Sequence, residues 1–295
     1  MQSQTKIAET SLGRVEYSDA GEGEPLLYFH GTGITGDAMV PIESQLMEDG
    51  FRLVIPNRPG YGGTPLASHT TAVDCSNIAS ALLDSLGLQT VSVMGSSGGG
   101  AFALSFALNH PNRTRSLVLL CPQLHRWDAK KWLPETSKWT LPFLKQPMLR
   151  KLLLKAYRFQ FARMTAKQFL KMEAGRRFSS VADDPKAIQI CEAAIAAMQT
   201  GSQFPGFEND MRVFLSENII EDESNMNSPT MVIHDTCDPL APVAHIDWFT
   251  SLVPNCRRLN VETAGHLIWV GPDSELMHNS RVQFLNEQVV ASMED

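Results

Sequence analysis

Short apolar runs alternate with amphipathic stretches along the first 120 residues of this 295-residue chain. Leu26-Leu27-Tyr28-Phe29 is stopped by His30-Gly31, and Leu53-Val54-Ile55 ends at Pro56. Val91-Ser92-Val93-Met94 and Ser116 to Leu120 are of similar length. Apolar runs this short, bounded by turn residues, predict buried strands. Between them, Asp37 to Asp49 has helical spacing, with Met39, Ile42, Leu46 and Met47 on one side. Ala72 to Leu86 reads as a helix closed by Gly87, and Gly98 to Asn109 as a helix stopped by Pro111. Strand and helix in alternation predict a parallel sheet with helices on both faces.

The alternation breaks at Pro122. From there to about Asn227 no convincing strand is found, and helical stretches are interrupted by Pro134, Pro142 and Pro147. An ordinary connection runs roughly 2–6 residues, so this segment is expected to be a helical lid or a small subdomain. The rhythm resumes at Thr230-Met231-Val232-Ile233. A helix from about Val243 to Leu252, a strand near Arg258 to Val261 and a final helix from about Ser274 to Val290 follow. The expected organisation is a core of residues 1–122 and 228–295 with a mostly helical insertion at 123–227.

Composition narrows the function classes. A chain that is 43% hydrophobic can bury a large core, and its net charge of −7 argues against a nucleic-acid partner. Five scattered cysteines, Cys75, Cys121, Cys191, Cys237 and Cys256, form no C-x-x-C pair and suggest free thiols in a reducing compartment. Met1 to Thr10 is polar and lacks the apolar core of a signal peptide, and no apolar run is long enough to span a bilayer. The expectation is a cytoplasmic protein without integral membrane association. There is no phosphate loop, dinucleotide fingerprint or metal-ligand cluster, so neither cofactor nor metal is expected.

Gly95-Ser96-Ser97-Gly98-Gly99 carries the strongest chemical signal. It fits G-x-S-x-G in one register only, since centring on Ser96 would require glycine at Met94. A predicted strand precedes it and a predicted helix follows. On such an elbow the hydroxyl stands clear of the sheet beside a helix N-terminus, where developing negative charge is favoured. A serine alone is a poor nucleophile and needs a base, which itself needs an orienting acid. Of eight histidines, His266 alone combines a loop position after a strand with a late place in the chain. The acid is expected after the strand ending near Ile233, where Asp235 and Asp238 are both available. Asp238 lies beyond the strand end, in a turn that suits a sideways reach to an imidazole. His30-Gly31-Thr32-Gly33 follows the first central strand; with the elbow, it makes the backbone N–H groups of Thr32 and Gly98 the expected oxyanion donors.

With these motifs in place, the sequence resembles the α/β-hydrolase superfamily, in particular its lidded esterase, haloperoxidase and carbon–carbon bond hydrolase branches. The resemblance runs over nearly the whole chain. It rests on His30-Gly31-Thr32-Gly33, Asn57-Arg58-Pro59-Gly60-Tyr61-Gly62-Gly63-Thr64, the Ser97 elbow, Asp238-Pro239-Leu240-Ala241-Pro242 and Gly265-His266. It implies an eight-stranded, mostly parallel sheet flanked by helices, with the lid inserted after the sixth strand and lying over the active site. Two positions depart from the family pattern. Asn57 stands where aspartate is frequent, and Asp235 where glycine is frequent, which places a second carboxylate near the expected acid. Dehalogenases and epoxide hydrolases of this fold carry aspartate at the elbow, where this chain has Ser97.

The predicted lid is strongly basic. From Gln123 to Arg177 there are 14 Lys and Arg against 3 Asp and Glu, which leaves 11 basic and 29 acidic residues elsewhere. Charge runs usually face water, but these bases could also attract an anionic substrate. Trp127, Trp132 and Trp139 fall in the same segment as candidate substrate-binding residues or as glue between lid and core. The expected function is hydrolysis of a carboxylic ester or lactone of a small organic substrate through an acyl-enzyme on Ser97. Two alternatives stand beside it: carbon–carbon cleavage of a diketone acid by the same residues, and a ligand-binding receptor on a hydrolase fold.

Overall fold

Eight strands form one sheet in the computed structural model of the chain, which describes residues 4–219, 226–253 and 255–294. The chain opens with β1 (Gln4–Thr10), β2 (Gly13–Ala20) and β3 (Glu24–Phe29), then α1 (Gly36–Ile42), α2 (Ser44–Glu48) and β4 (Phe51–Pro56). It continues through α3 (Ala72–Ser85), β5 (Val91–Ser96), α4 (Gly99–Asn109) and β6 (Thr114–Leu120). Helices follow: α5 (Leu141–Lys145), α6 (Pro147–Phe161), α7 (Ala166–Ala174), α8 (Phe178–Val181), α9 (Pro185–Thr200) and α10 (Phe204–Ser216). The chain then returns to the sheet with β7 (Thr230–Asp235), α11 (Val243–Leu252), β8 (Arg257–Val261) and α12 (Ser274–Glu294).

The strand order is β1-β2-β4-β3-β5-β6-β7-β8. β2 pairs antiparallel with β1 and β4, and every other pairing is parallel. The fold is therefore the mostly parallel, helix-flanked sheet expected from the alternation. Every residue of β5 and β7 is buried, as strands covered on both faces must be. Two apolar clusters cover the two faces. Phe102, Phe106 and Leu82 lie in one, and Met39, Leu46 and Phe284 in the other.

Two elements differ from the sequence reading. The β1–β2 hairpin was not foreseen residue by residue. β1 is an exposed edge strand, so no apolar run marks it. The helix expected over Asp37 to Asp49 is two helices broken at Glu43. Pro41 has no N–H for the helix ladder, and Glu43 leaves helical geometry at φ −101° and ψ 20°. At that break the buried Glu43 carboxylate accepts from Tyr28 Oη at 3.0 Å and Trp269 Nε1 at 2.8 Å, and pairs with Arg281 at 2.7 Å.

Between β6 and β7 the described residues form helices and turns and no strand. Residues 220–225, within the predicted insertion, lie outside the described residues. The chain leaves the sheet at the carboxyl end of β6, beside the carboxyl end of β5 where Ser97 sits. Ligands of parallel sheets bind beyond that edge.

Candidate active site

β5 ends at Ser96 and α4 begins at Gly99, so Ser97 occupies the turn between them with φ 54°. A left-handed backbone at a non-glycine residue costs on the order of 1–3 kcal/mol and persists only where its surroundings impose it. Here Ser97 N–H donates to Leu120 O at 2.9 Å, while Ser97 O accepts from Gly100 N at 3.0 Å and Gln123 N at 2.8 Å. Packing explains the flanking glycines. A Cβ at Gly95 would stand 2.6 Å from Ala103 Cβ and from Gly99 O, and one at Gly99 would run into Phe29 O.

The structure brings Ser97, His266 and Asp238 together. Ser97 Oγ lies 2.7 Å from His266 Nε2, and His266 Nδ1 lies 2.7 Å from Asp238 Oδ2. Asp238 Oδ1 accepts from the N–H groups of Leu240 at 2.7 Å and Ala241 at 2.9 Å, which fixes the carboxylate. The second carboxylate of this loop has other partners. Asp235 is fully buried and accepts from Cys237 N, Thr263 N and Gly265 N at 2.8, 2.8 and 3.3 Å, tying the His266 loop to the end of β7. Burial opposes the charged imidazolium, but the Asp238 carboxylate and its hydrogen bond outweigh it and hold His266 up to about 9. Burial raises the Asp238 carboxyl in turn, but the charge and hydrogen bond of His266 overcome this and hold it below its usual range.

Thr32 and Gly98 stand against each other, since a Cβ at Gly98 would meet Thr32 Oγ1. Neither backbone N–H has a protein acceptor among the described residues. Both are available to a substrate oxygen at the elbow. The Thr32 loop is anchored from the helical segment by Asp210 on α10. Asp210 Oδ2 accepts from Thr32 Oγ1 at 2.7 Å and Tyr61 Oη at 2.7 Å, and its carboxylate is bidentate to the buried Arg58 guanidinium. Arg58 also donates to Gly31 O at 3.3 Å. The sequence reading took Asn57 to Thr64 as shaping a turn and did not single out Arg58, Tyr61 or Asp210. Only the Arg58-Pro59-Gly60-Tyr61 motif carried a signal, because Asp210 lies far along the chain in a segment read by its charge balance.

A cavity of about 550 Å³ opens over Ser97. The core supplies Gly31, Thr32, Ser97, His266 and Trp269 to its wall, and the helical segment supplies Trp127, Tyr157, Phe161, Phe169, Met172 and Phe214. The three candidate tryptophans separate. Trp127 lines the cavity and packs on Phe214 at 5.3 Å between ring centroids. Trp132 lies outside the cavity, buried and stacked on His125 at 3.7 Å with Trp248 nearby. Trp139 is 81% exposed, with Lys130 over its ring. The substrate-binding expectation is therefore corrected for the last two: one ring is consumed by core packing and the other faces solvent.

The wall contains no Lys or Arg side chain among the described residues. The bases of the helical segment are exposed or half-buried, and Arg177 pairs with the buried Asp235 of the core at 3.5 Å. Glu173 is the one acidic side chain in the wall among the described residues, another residue the sequence reading passed over. Cys121 Sγ lies with ligand atoms of Asp238 and His266 inside a 4.8 Å cluster. Burial raises its thiol pKa, and both imidazole nitrogens are already engaged by Ser97 and Asp238.

A sequence profile described as alpha/beta hydrolase fold matches residues 24–270. The uncharacterized hydrolase YcgS of Bacillus subtilis is 25% identical over 275 residues, covering 89% of this chain and 91% of that protein. A more local match is the 2-hydroxy-6-oxononadienedioate/2-hydroxy-6-oxononatrienedioate hydrolase of Comamonas testosteroni, 30% identical over 114 residues, which is 37% of this chain and 40% of that protein. Among solved structures, an alpha/beta hydrolase fold protein from Nakamurella multipartita superposes with a TM-score of 0.74 at 25% identity, over 96% of this chain and 99% of the other. No helix among the described residues is long and apolar enough to cross a membrane.

Proposed function

The chain belongs to the alpha/beta hydrolase fold family, and on that premise we propose that it is a serine hydrolase cleaving a carboxylic ester or lactone of a small, largely apolar substrate. The observation that carries this reading is the continuous hydrogen-bonded line Ser97 Oγ–His266–Asp238 at the floor of the cavity. His266 Nε2 takes the Ser97 proton as Oγ attacks the ester carbonyl, and Asp238 holds the imidazole in the tautomer that can accept it. The carbonyl oxygen becomes an oxyanion against the N–H groups of Thr32 and Gly98. Collapse expels the alcohol, which takes the proton from His266 and leaves an acyl-enzyme. Water, deprotonated by the same imidazole, then releases the acid and restores Ser97. The helices between β6 and β7 serve as a lid that excludes bulk water and shapes the acyl site.

Carbon–carbon cleavage by the same residues is the second reading, favoured by the local match to the Comamonas hydrolase. That protein's name specifies dicarboxylate substrates, for which a buried cation is the natural partner. The cavity wall offers no Lys or Arg among the described residues, so the ester or lactone reading stands ahead.

The test is Ser97→Ala with a panel of nitrophenyl esters, lactones and diketone acids, together with fluorophosphonate labelling. Turnover of the preferred ester should fall by about 10⁴-fold or more, with near-ultraviolet circular dichroism unchanged. Label should map to Ser97. Turnover or labelling that persists in the alanine variant overturns the proposal.

A further inference from the structure

One buried carboxyl in the cavity takes no part in this chemistry. Glu173 lies near the end of α7, is 8% exposed and faces the cavity. Its backbone O accepts the His266 N–H at 3.0 Å, which holds the residue beside the imidazole loop. Its carboxylate makes no hydrogen bond and no ion pair among the described residues. The charged or titratable groups that face it are His266 and Asp238 from the core loops and Cys191 from α9, which packs on α7. Of these, only His266 can carry a positive charge, and its ring is held between Asp238 and Ser97 rather than bonded to Glu173.

Its carboxylate opens to the cavity rather than to a protein partner, so a ligand group seated there can meet it directly. Burial pushes the Glu173 carboxyl up; His266 opposes and Asp238 adds to the rise, leaving it at about 7. It can therefore accept or release a proton near neutrality as its ligand requires. Among the described residues the wall holds a potential anion and no Lys or Arg, and the charge of the His266 ring is balanced by Asp238, so Glu173 suits a positive ligand group and opposes a negative one.

We infer that Glu173 is a recognition group for a substrate bearing an ammonium group, seated in the apolar cavity beside the Ser97–His266 centre. The inference rests on the proposed hydrolase reading for the fate of the ligand and not for its binding. The basic exterior of the lid does not contradict it. Those side chains are solvated and screened, whereas Glu173 meets the ligand inside a low-dielectric wall.

The experiment is a binding titration read by tryptophan fluorescence, because Trp127 and Trp269 line the cavity. Hexylammonium, hexan-1-ol and hexanoate are titrated into the wild-type protein, Glu173→Gln and Glu173→Met, each with its near-ultraviolet circular dichroism recorded. In the wild type, hexylammonium should bind about tenfold tighter than hexan-1-ol, with hexanoate weakest. Both variants should lose that preference. Hexanoate binding as tightly as hexylammonium to the wild type overturns the inference without recourse to any variant. An unchanged preference in the variants overturns it too, even if the pH profile of turnover moves, because Glu173 would then act only through His266. Ammonium selectivity without ester turnover would overturn the proposed hydrolysis and leave this inference standing.

Discussion

Asp235 and Asp238 share one loop, and their hydrogen bonds divide them. Asp238 faces the imidazole, while Asp235 ties together the backbones of two loops. Asp238→Asn should lower kcat by about 10⁴-fold, as in the serine-protease precedent, because an amide can stabilise the wrong imidazole tautomer. Asp235→Asn should act through stability, lowering Tm while retaining more turnover. Steady-state kinetics and thermal unfolding of the two variants separate the roles, and the opposite ranking in kcat would reverse the assignment. The pH profile belongs to the same scale. In the proposed mechanism His266 must be neutral to accept the Ser97 proton, and its pKa is raised in the folded protein. The acid limb of kcat/KM should therefore have its midpoint above 6.5, with activity rising as pH rises. Glu173 contributes to that rise, so Glu173→Gln should move the limb toward acid. A limb at or below 6.5 in the wild type would contradict the electrostatics described. Ser97, His266 and both loop aspartates stood out in the sequence because each sits in a motif with a fixed place relative to a strand. Glu173 did not, because a lone glutamate in a basic helical stretch looks like surface until burial is known.

At the scale of elements, legibility followed burial. β3, β5, β6 and β7 are apolar enough on both faces to stand out as runs, and α11 lies where its pattern put it. β1 is an edge strand whose partner, β2, alternates at best, so nothing in its letters separates it from a polar tail. Equally invisible was the contact that joins α10 to the loops after β3 and β4. Arg58 and Asp210 are both almost fully buried, and they pair across a long stretch of chain. Periodicity reports which face of an element is apolar, not which polar side chains will meet. Asp210→Ala would leave the Arg58 guanidinium buried without its carboxylate, and breaking such a pair costs about 3–5 kcal/mol. It would also free Thr32 Oγ1 and Tyr61 Oη, loosening the loop that carries a proposed oxyanion donor. Urea unfolding should register the stability loss, and kcat should fall more than KM rises. A variant with wild-type stability and kcat would show that the pair is dispensable.

Across the whole molecule, charge and chemistry are arranged on different surfaces. The basic excess of residues 123–177 was plain in the sequence, but its direction was not. In the structure those bases are exposed or half-buried and none lines the cavity among the described residues, while the cavity wall is apolar apart from a few polar groups and Glu173. A solvated basic exterior acts on ligands through a field that salt screens within about 10 Å at 0.1 M. It can influence encounter, but it supplies no partner for an anion once the ligand is inside. Neutral esters should therefore exceed anionic esters of equal length in kcat/KM at every salt concentration, and added salt should slow only the anionic series. The tryptophans of the same segment divide along the same line. Trp127→Ala enlarges the cavity and should shift the preferred chain length upward, with kcat/KM ratios among esters changing by about tenfold. Trp132→Ala removes a buried ring stacked on His125 and should cost about 3–5 kcal/mol of stability. Trp139→Ala touches neither the cavity nor the core and should leave both the ester ratios and Tm unaltered. Ester-series kinetics at low and high salt, with thermal unfolding of the three variants, tests the whole arrangement. A Trp139 variant with altered ester ratios would mean that the outer face reaches the substrate, and the separation of surfaces described here would fail.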